Sequence, residues 1–427
     1  MTVVLITAYA TVALLLFVVA LTNLIWMLDA WRSPEGLEAT GFEQLDDPQL
    51  TFSLIVPARH EEAVLEHTIE SLCQLDHPGF EVIVVIGHED DATHEVARRA
   101  AARHPDQVAI VIDNNWPKNK PKALNSALPF CRADVVGVFD AEDSVAPTLL
   151  RHVDASFRAN NAHVVQGGVQ LMNYRSNWYA LRNVLEYYFW FRSRLHFHAR
   201  QRFIPLGGNT VFVRRDLLEQ VGGWDSDCLA EDCELGVRLS SMGARVAVAY
   251  DPELVTREET PGSIGQLFRQ RTRWNQGFLQ VLRKGEWRKL PTLRQRLLAR
   301  FTLWMPFLQA FAGLMIPVAI VTAFFVKAPV SLVLLAYASL LPLAVTLVVE
   351  CAGLHEFCRA YATRARLSDY LRLIVGTPLY QVVLGAAAVR AAARELRGKR
   401  GWEKTAHIGA HRRSDDREPT AARKAAA

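Results

Sequence analysis

Three short acidic clusters and one basic, aromatic octapeptide hold most of the side chains that could do chemistry. The first cluster is FDAEDS, where Asp140, Glu142 and Asp143 end an apolar run. Alternate side chains of an extended chain share one side, so Asp140 and Glu142 point the same way. Carboxylate oxygens suit a hard divalent ion, Mg2+ or Mn2+, which usually also takes phosphate oxygens from a substrate. A solvated acidic turn is the plain alternative, and the nearness of the other clusters argues against it. The second cluster, LAEDCELG, sets Glu231 and Asp232 just before Leu235 and Leu239, which are spaced i, i+4. Carboxylates in a first helical turn are favoured by the helix dipole. The same placement suits a general base that takes a proton from an attacking hydroxyl. The third, GHEDDAT, carries Glu89 and Asp91.

The octapeptide QRTRWNQG covers residues 270–277. On a helix Gln270, Arg273, Trp274 and Gly277 fall at i, i+3, i+4 and i+7 and share a face. Arg273 is suited to grip a diphosphate bidentately. Trp274 can stack on the apolar face of a sugar ring, and Gly277 can admit a second backbone. An interfacial helix anchored by Trp and Arg has the same pattern, and the two roles are compatible.

These groups need elements to position them. LTFSLIVPAR (50–59), FEVIVVIGHED (80–90), QVAIVID and DVVGVFDAEDS read as β runs. Between them EEAVLEHTIESLCQL (61–75), DATHEVARRAAARH and KALNSALPFC read as helices. Such repetition predicts a parallel sheet with helices on both faces. Ligands of these sheets sit beyond the carboxyl ends of the strands. Pro57–Glu61, His88–Asp91 and Asp140–Asp143 all fall there.

The chain has 427 residues, half of them hydrophobic, with 22% charged and a net charge of +4. That mixture predicts a soluble-type domain joined to membrane segments. Residues 1–28 hold no charged side chain, and Asp29 is the first. The run exceeds the ~20 residues that span hydrocarbon, and without a basic start or small-residue cleavage site it reads as an uncleaved anchor. Further apolar runs cover 301–326 and 328–352, with Lys327 and Pro329 at the turn between them. A weaker one, 368–389, is interrupted by Arg372, Pro378 and Gln381 and reads as a segment that does not cross. Lys and Arg crowd 283–300 and 394–413, which places both on the cytosolic side. The six cysteines lack zinc-ligand spacing and read as reduced thiols. The polar end, 410–427, reads as disordered.

As an ordered set, VPARHEE, KPKALN, DAED, AED and QRTRW, with flanking membrane segments, resemble the membrane-bound family 2 glycosyltransferases. These are the cellulose, hyaluronan and poly-N-acetylglucosamine synthase type. The resemblance covers roughly residues 50–285 and extends more loosely to WEKT (402–405). It implies an α/β fold, a GT-A (Rossmann-like) cytosolic glycosyltransferase domain plus transmembrane helices, and inversion at the anomeric carbon. It implies a catalytic pair with Asp232 as general base and Glu231 beside it. Pro57, Glu61, Lys120 or Lys122, Asn125, Asp140 and Arg273 are implied on the donor side. The base-contacting carboxylate matches Glu89 or Asp91. Asp140 and Glu142 match the metal motif, with Glu where Asp is usual. Gly207, Gly208 and Asn209 of LGGN, with Gln270 and Trp274, match the acceptor side.

The expected plan is an anchor (1–28), a linker (29–49), a GT-A domain (50–285), a basic interfacial segment (286–300), transmembrane or interfacial helices (301–392) and a basic, largely disordered cytosolic tail (393–427). The expected protein is a multi-pass enzyme of the plasma membrane. Its partners would be a nucleotide diphosphate-sugar, a saccharide or lipid acceptor, the bilayer and possible partner subunits of an export complex, with no nucleic acid. The leading expectation is synthesis of a β-linked polysaccharide. Single-sugar transfer to a lipid, as in ceramide glucosyltransferase-like enzymes, is the second. An inactive scaffold or nucleotide-sugar sensor is the third, and the presence of Asp232 and Arg273 weighs against it.

Overall fold

The computed structural model describes residues 2–32, 47–325, 340–405 and 407–415, with single positions between 330 and 338. Lys327, Pro329, most of the 29–49 linker and residues 416–427 lie outside the described residues. In chain order come α1 (Thr2–Leu28), β1 (Phe52–Ala58), α2 (Leu65–Cys73), β2 (Phe80–Gly87), α3 (Asp91–Arg103), β3 (Val108–Asp113), α4 (Lys120–Ala127), β4 (Val135–Val138) and α5 (Leu149–Ala159). Then come β5 (Val164–Gly167), β6 (Val169–Leu171), α6 (Ala180–Phe189), α7 (Leu195–Arg200), β7 (Val211–Arg214), α8 (Arg215–Gln220), α9 (Glu231–Ser241), β8 (Val246–Ala249) and β9 (Thr256–Glu258). Among the described residues α10 (Ile264–Lys284), α11 (Leu293–Phe325), α12 (Leu340–Ala360), α13 (Leu367–Leu396) and α14 (Ala410–Asp415) follow.

Seven strands form one sheet in the order β3-β2-β1-β4-β7-β5-β8, and β6 and β9 form a parallel pair beside it. The first four strands are parallel, as their continuous apolar runs predict. Alternate side chains enter different cores: Ile55, Ile83 and Val85 on one face, Leu54, Val56, Val82 and Val84 on the other. The parallel pairing expected over residues 50–140 is found, and β7, outside that stretch, runs antiparallel to both β4 and β5. Its closeness to β4 depends on Gly137, where an added Cβ would lie 2.8 Å from the Phe212 ring. Local capping starts the helices that line the crevice. The Asp90 carboxylate accepts from Thr93 N at 3.3 Å ahead of α3, and Asn119 accepts from Lys122 N at 3.0 Å ahead of α4.

Among the described residues four helices are long and apolar enough to cross a membrane: Ala10–Trp31, Leu293–Met315, Leu340–Ala360 and Leu367–Leu396. The last is one 30-residue helix with Pro378 inside it. Much of it lies along α10. Tyr380 Oη is 3.5 Å from Arg271, and Glu395 accepts from Gln276 and Gln280 at 3.2 Å and from Arg283 at 2.5 Å. At 1.5 Å rise per residue, the stretch from Tyr380 to Glu395 follows α10 for roughly 22 Å. Val375 and Leu379 are exposed on α13.

Candidate active site

One cavity of about 1420 Å3 opens at the carboxyl ends of β1 and β4, where the strand order reverses. Pro57, Glu61, Lys120, Asp140, Glu142, Gly207, Gly208, Asn209, Glu231, Asp232, Gln270, Arg273 and Trp274 all line it. The structure thus gathers groups from across the whole domain. Lys120 Nζ pairs with Asp140 and donates to the Gly208 carbonyl at 2.7 Å. Burial alone would lower the Lys120 ammonium, but Asp140 and Glu231 outweigh it and raise its pKa. Asp232 reaches the same loop, so a Cβ on Gly208 would stand 2.9 Å from Asp232 Oδ2. A glycine therefore lets the loop approach the carboxylate.

Glu231 and Asp232 open α9, as the sequence predicts. Burial raises the Glu231 carboxyl to about 7; Asp232 adds to the rise, while Lys120 and Arg273 oppose it. Burial raises Asp232 too, against its bond from Cys233 N and the charges of Lys120 and Arg273. A carboxylate whose pKa stands near neutral can hold and release a proton at working pH. A second buried set braces the floor. Asn209 donates to Asp143 Oδ1 at 2.9 Å and also to Glu258. Burial and the charges of Glu142 and Asp140 push Glu258 up.

The octapeptide lies within α10, a 21-residue helix capped by Ser263 and closed by Gly285 at φ 78°. At Gly277 a Cβ would lie 2.4 Å from Ala230 Cβ and 2.5 Å from Ala230 N. The backbone that Gly277 admits is therefore the residue just before Glu231–Asp232. The Arg273 guanidinium stands 4.2 Å above the Trp402 ring, and burial lowers its pKa against the pull of Glu231 and Asp232. Arg271 turns the other way, 2.5 Å from Asn183 Oδ1 and Glu186 Oε2, and its guanidinium is 4.6 Å over Trp274.

Four sequence-predicted residues, Glu89, Asp91, Lys122 and Asn125, do not line the cavity. Asp91 is exposed at the start of α3. Lys122 Nζ is tied to the carbonyls of Trp116 and Pro117, each at 3.1 Å. Asn125 braces a loop by donating to Trp224 O at 2.7 Å. Glu89 pairs with Arg59 at 3.4 Å and Lys118 at 3.5 Å beside the rim. Asp113 and Lys118, which the sequence reading missed, do line the cavity. Asp113 ends β3, so the strand-end rule that selected the other clusters could have found it. At the metal motif Asp140 is held by Lys120, whereas Glu142 sits with Glu61 and His407, their ligand-type atoms all within 4.8 Å of one another. Burial would raise Glu142, but His407 outweighs it and holds the carboxyl at about 2. Trp402, Lys404 and His407 were also missed as site residues. The signal for Trp402 and Lys404 was the WEKT resemblance, which carried no role for them, and His407 lies beyond that motif.

Known proteins share this fold. The mannosyltransferase PcManGT from Pyrobaculum calidifontis, solved in complex with GDP-Man and Mn2+, aligns with a TM-score of 0.55. The alignment is 21% identical and covers 92% of this chain and 99% of that one, so the GT-A fold is common to both. The chain belongs to the glycosyltransferase-like family 2, whose family model matches residues 48–277. The beta-monoglucosyldiacylglycerol synthase of Synechocystis sp. is 30% identical over 240 residues, 53% of this chain and 47% of that protein. The poly-beta-1,6-N-acetyl-D-glucosamine synthase of Staphylococcus epidermidis is 23% identical over 257 residues, 59% of each chain. The matches span about half the length of the first curated relatives.

Proposed function

We propose that the protein is an inverting glycosyltransferase that moves a sugar from a nucleotide diphosphate-sugar to the hydroxyl of a membrane lipid. The observation that carries the lipid acceptor is the course of the cavity. It runs without a break from Glu231 and Asp232 to apolar side chains of α1, α11, α12 and α13, among them Leu16, Val19, Met305, Leu343 and Val382. An apolar limb of this kind suits an acyl chain, whereas a polymer path needs polar and aromatic surface. A growing polysaccharide is the second reading, favoured by Tyr187 and Trp274, whose rings stand 6.4 Å apart in the cavity.

The donor lies along the β1 and β4 ends, its nucleoside toward Asp113 and Lys118 and its diphosphate toward Lys120 and Arg273. A divalent ion, held by Glu142 and its neighbours, would neutralise charge on the diphosphate. The residues fit such an ion: they offer clustered oxygen and nitrogen donors, and the buried Glu61 Oε2 has no hydrogen-bond partner among the described residues. Asp232 takes the acceptor proton as the hydroxyl attacks the anomeric carbon from the face opposite the diphosphate. Glu231 sets the local charge. Arg273, held on Trp402, and Lys120 meet the charge that develops on the leaving group, usually the largest contribution to catalysis. One in-line displacement converts an α-linked donor into a β-linked product.

The GT-A domain faces the cytosol in this reading, because the basic 283–300 stretch runs into the start of α11. The chain would then be an integral protein of the cell membrane, with α13 lying along the domain rather than crossing. The test is nucleotide release in lipid nanodiscs, with each nucleotide sugar offered in turn and the product sized. Release with a glycolipid product supports the proposal. A long polymer would favour the second reading, and binding without release would favour a scaffold.

A further inference from the structure

The apolar limb of the cavity holds a cation without a counter-charge. Arg194 ends a π-helical turn, Trp190–Arg194, between α6 and α7, and it lines the cavity. Its guanidinium carbon is 3.9 Å from the centre of the Trp26 ring and 4.9 Å from that of Trp190. Among the described residues no carboxylate pairs with it, and its Nε is buried without a hydrogen-bond partner. The neighbouring carboxylates are engaged elsewhere. Glu186 binds Arg271 at 2.5 Å and Tyr380 at 2.8 Å, and Asp29 pairs with Arg200. Burial pushes the Arg194 guanidinium down to about 9, and Glu186 opposes this only in part. A desolvated charge is costly unless paired, and two indole faces replace only part of its hydration.

The surroundings say what kind of anion belongs there. The Ser193 hydroxyl donates to the carbonyl of Trp26, which fastens the turn to the last residues of α1. That end of α1 meets the cytosolic domain, and Trp and Arg at such a helix end lie at the depth of the lipid headgroups. Leu16, Val19 and Met305 line the limb further in. Thr302 of α11 lines it as well, buried, and its hydroxyl has no hydrogen-bond partner among the described residues. The residue before it, Phe301, has its ring centre 6.1 Å from that of Trp26. A guanidinium and a hydroxyl above an apolar channel complement a phosphate that carries acyl chains. The same turn reaches the active site. A Cβ on Gly207 would lie 3.3 Å from the Phe191 ring, and the next residue, Gly208, is the one that approaches Asp232. Acyl channel, cation and general base therefore follow one another along the cavity.

We propose that Arg194 binds the phosphate of the acceptor, which is a phospholipid with a hydroxyl-bearing headgroup rather than a neutral diacylglycerol. The proposal rests on the lipid-acceptor reading for the reaction. The acyl chains lie in the limb, the phosphate sits on Arg194, and the headgroup hydroxyl points past Gly207 to Asp232. In the transfer the hydroxyl oxygen bonds to the anomeric carbon, the bond from that carbon to the nucleoside diphosphate breaks, and the hydroxyl proton goes to Asp232.

The experiment titrates the full chain in detergent with phosphatidylglycerol, or with diacylglycerol of the same acyl chains, and counts bound lipid by native mass spectrometry. Wild type is expected to bind phosphatidylglycerol about tenfold more tightly, the effect of one charged hydrogen-bonded contact. That comparison needs no variant. Arg194→Gln is expected to lose the preference and Arg194→Lys, which keeps the charge, to retain part of it, with each fold checked by circular dichroism. Arg300→Gln, at an exposed cation of α11, should keep it in full. In nanodiscs labelled sugar is expected on phosphatidylglycerol. Equal binding of the two lipids by wild type, a preference that survives in Arg194→Gln, displacement of the lipid by millimolar inorganic phosphate, or transfer to diacylglycerol alone would overturn the proposal. Absence of transfer from any donor to either lipid would count against the transferase reading alone, because binding is read without turnover.

Discussion

Substituting alanine for Gly277 tests whether close packing between α10 and the start of α9 holds the active site together. The added methyl would stand 2.4 Å from Ala230 Cβ and 2.5 Å from Ala230 N. Carbon atoms prefer about 3.5–4.0 Å, so the two segments must separate by more than about 1 Å. Overpacking of this kind costs about 1–3 kcal/mol, and the better helix propensity of alanine returns about 1 kcal/mol. The net loss of stability is therefore small, about 0–2 kcal/mol. The effect on activity is larger. Ala230 directly precedes Glu231 and Asp232, and Gly277 is one turn from Arg273 on α10. A misplacement of about 1 Å between reacting groups can slow a reaction about 100-fold. The expected outcome is thus a modest fall in thermal stability with nucleotide release reduced on the order of 100-fold. Gly265→Ala is the control, because its nearest neighbour is the flexible end of Arg269 at 3.6 Å. It should keep full activity. Full activity in Gly277→Ala would refute the reasoning, because it would mean that the helix contact does not set the geometry of the carboxylates.

Other expectations concern the site directly. Asp232→Asn should lower nucleotide release by roughly 10²–10⁴-fold while donor binding, read by calorimetry, persists. A base acts only when ionised, and burial raises both carboxyls, Glu231 to about 7. Activity should therefore fall as pH drops through a value above the ordinary carboxylate range, and a limb near the ordinary value of about 4 would contradict the buried pair. Trp402→Ala removes the ring under Arg273, a contact of about 0.5–2 kcal/mol, and should weaken donor binding by roughly 2- to 30-fold in a titration. Chelation should stop nucleotide release, and adding Mn2+ back should restore it.

Much of the sheet was legible in the sequence because local physics writes it there. A strand buried on both faces must be apolar throughout, so β1 and β2 stand out as continuous runs. Chemistry at strand ends was legible for the same reason: a run ending in Asp140 and Glu142 puts polar groups where the sheet stops. The antiparallel β7 was not legible. Four residues, VFVR, carry no directional signal, and pairing on both sides decides which way they run. Asp91, Lys122 and Asn125 have suitable types and spacing, yet a helix start and two backbone contacts turn them from the cavity.

By itself the sequence determined the order of elements over residues 50–140, the apolar runs, the carboxylates that open α9 and the shared face of Gln270, Arg273, Trp274 and Gly277. Each depends on neighbours within a few turns of chain. Only the tertiary structure decided that Trp402 lies under Arg273 and that His407 stands 2.9 Å from Glu142. Those contacts join residues separated by more than 100 positions, and no local spacing encodes a distance across the folded chain.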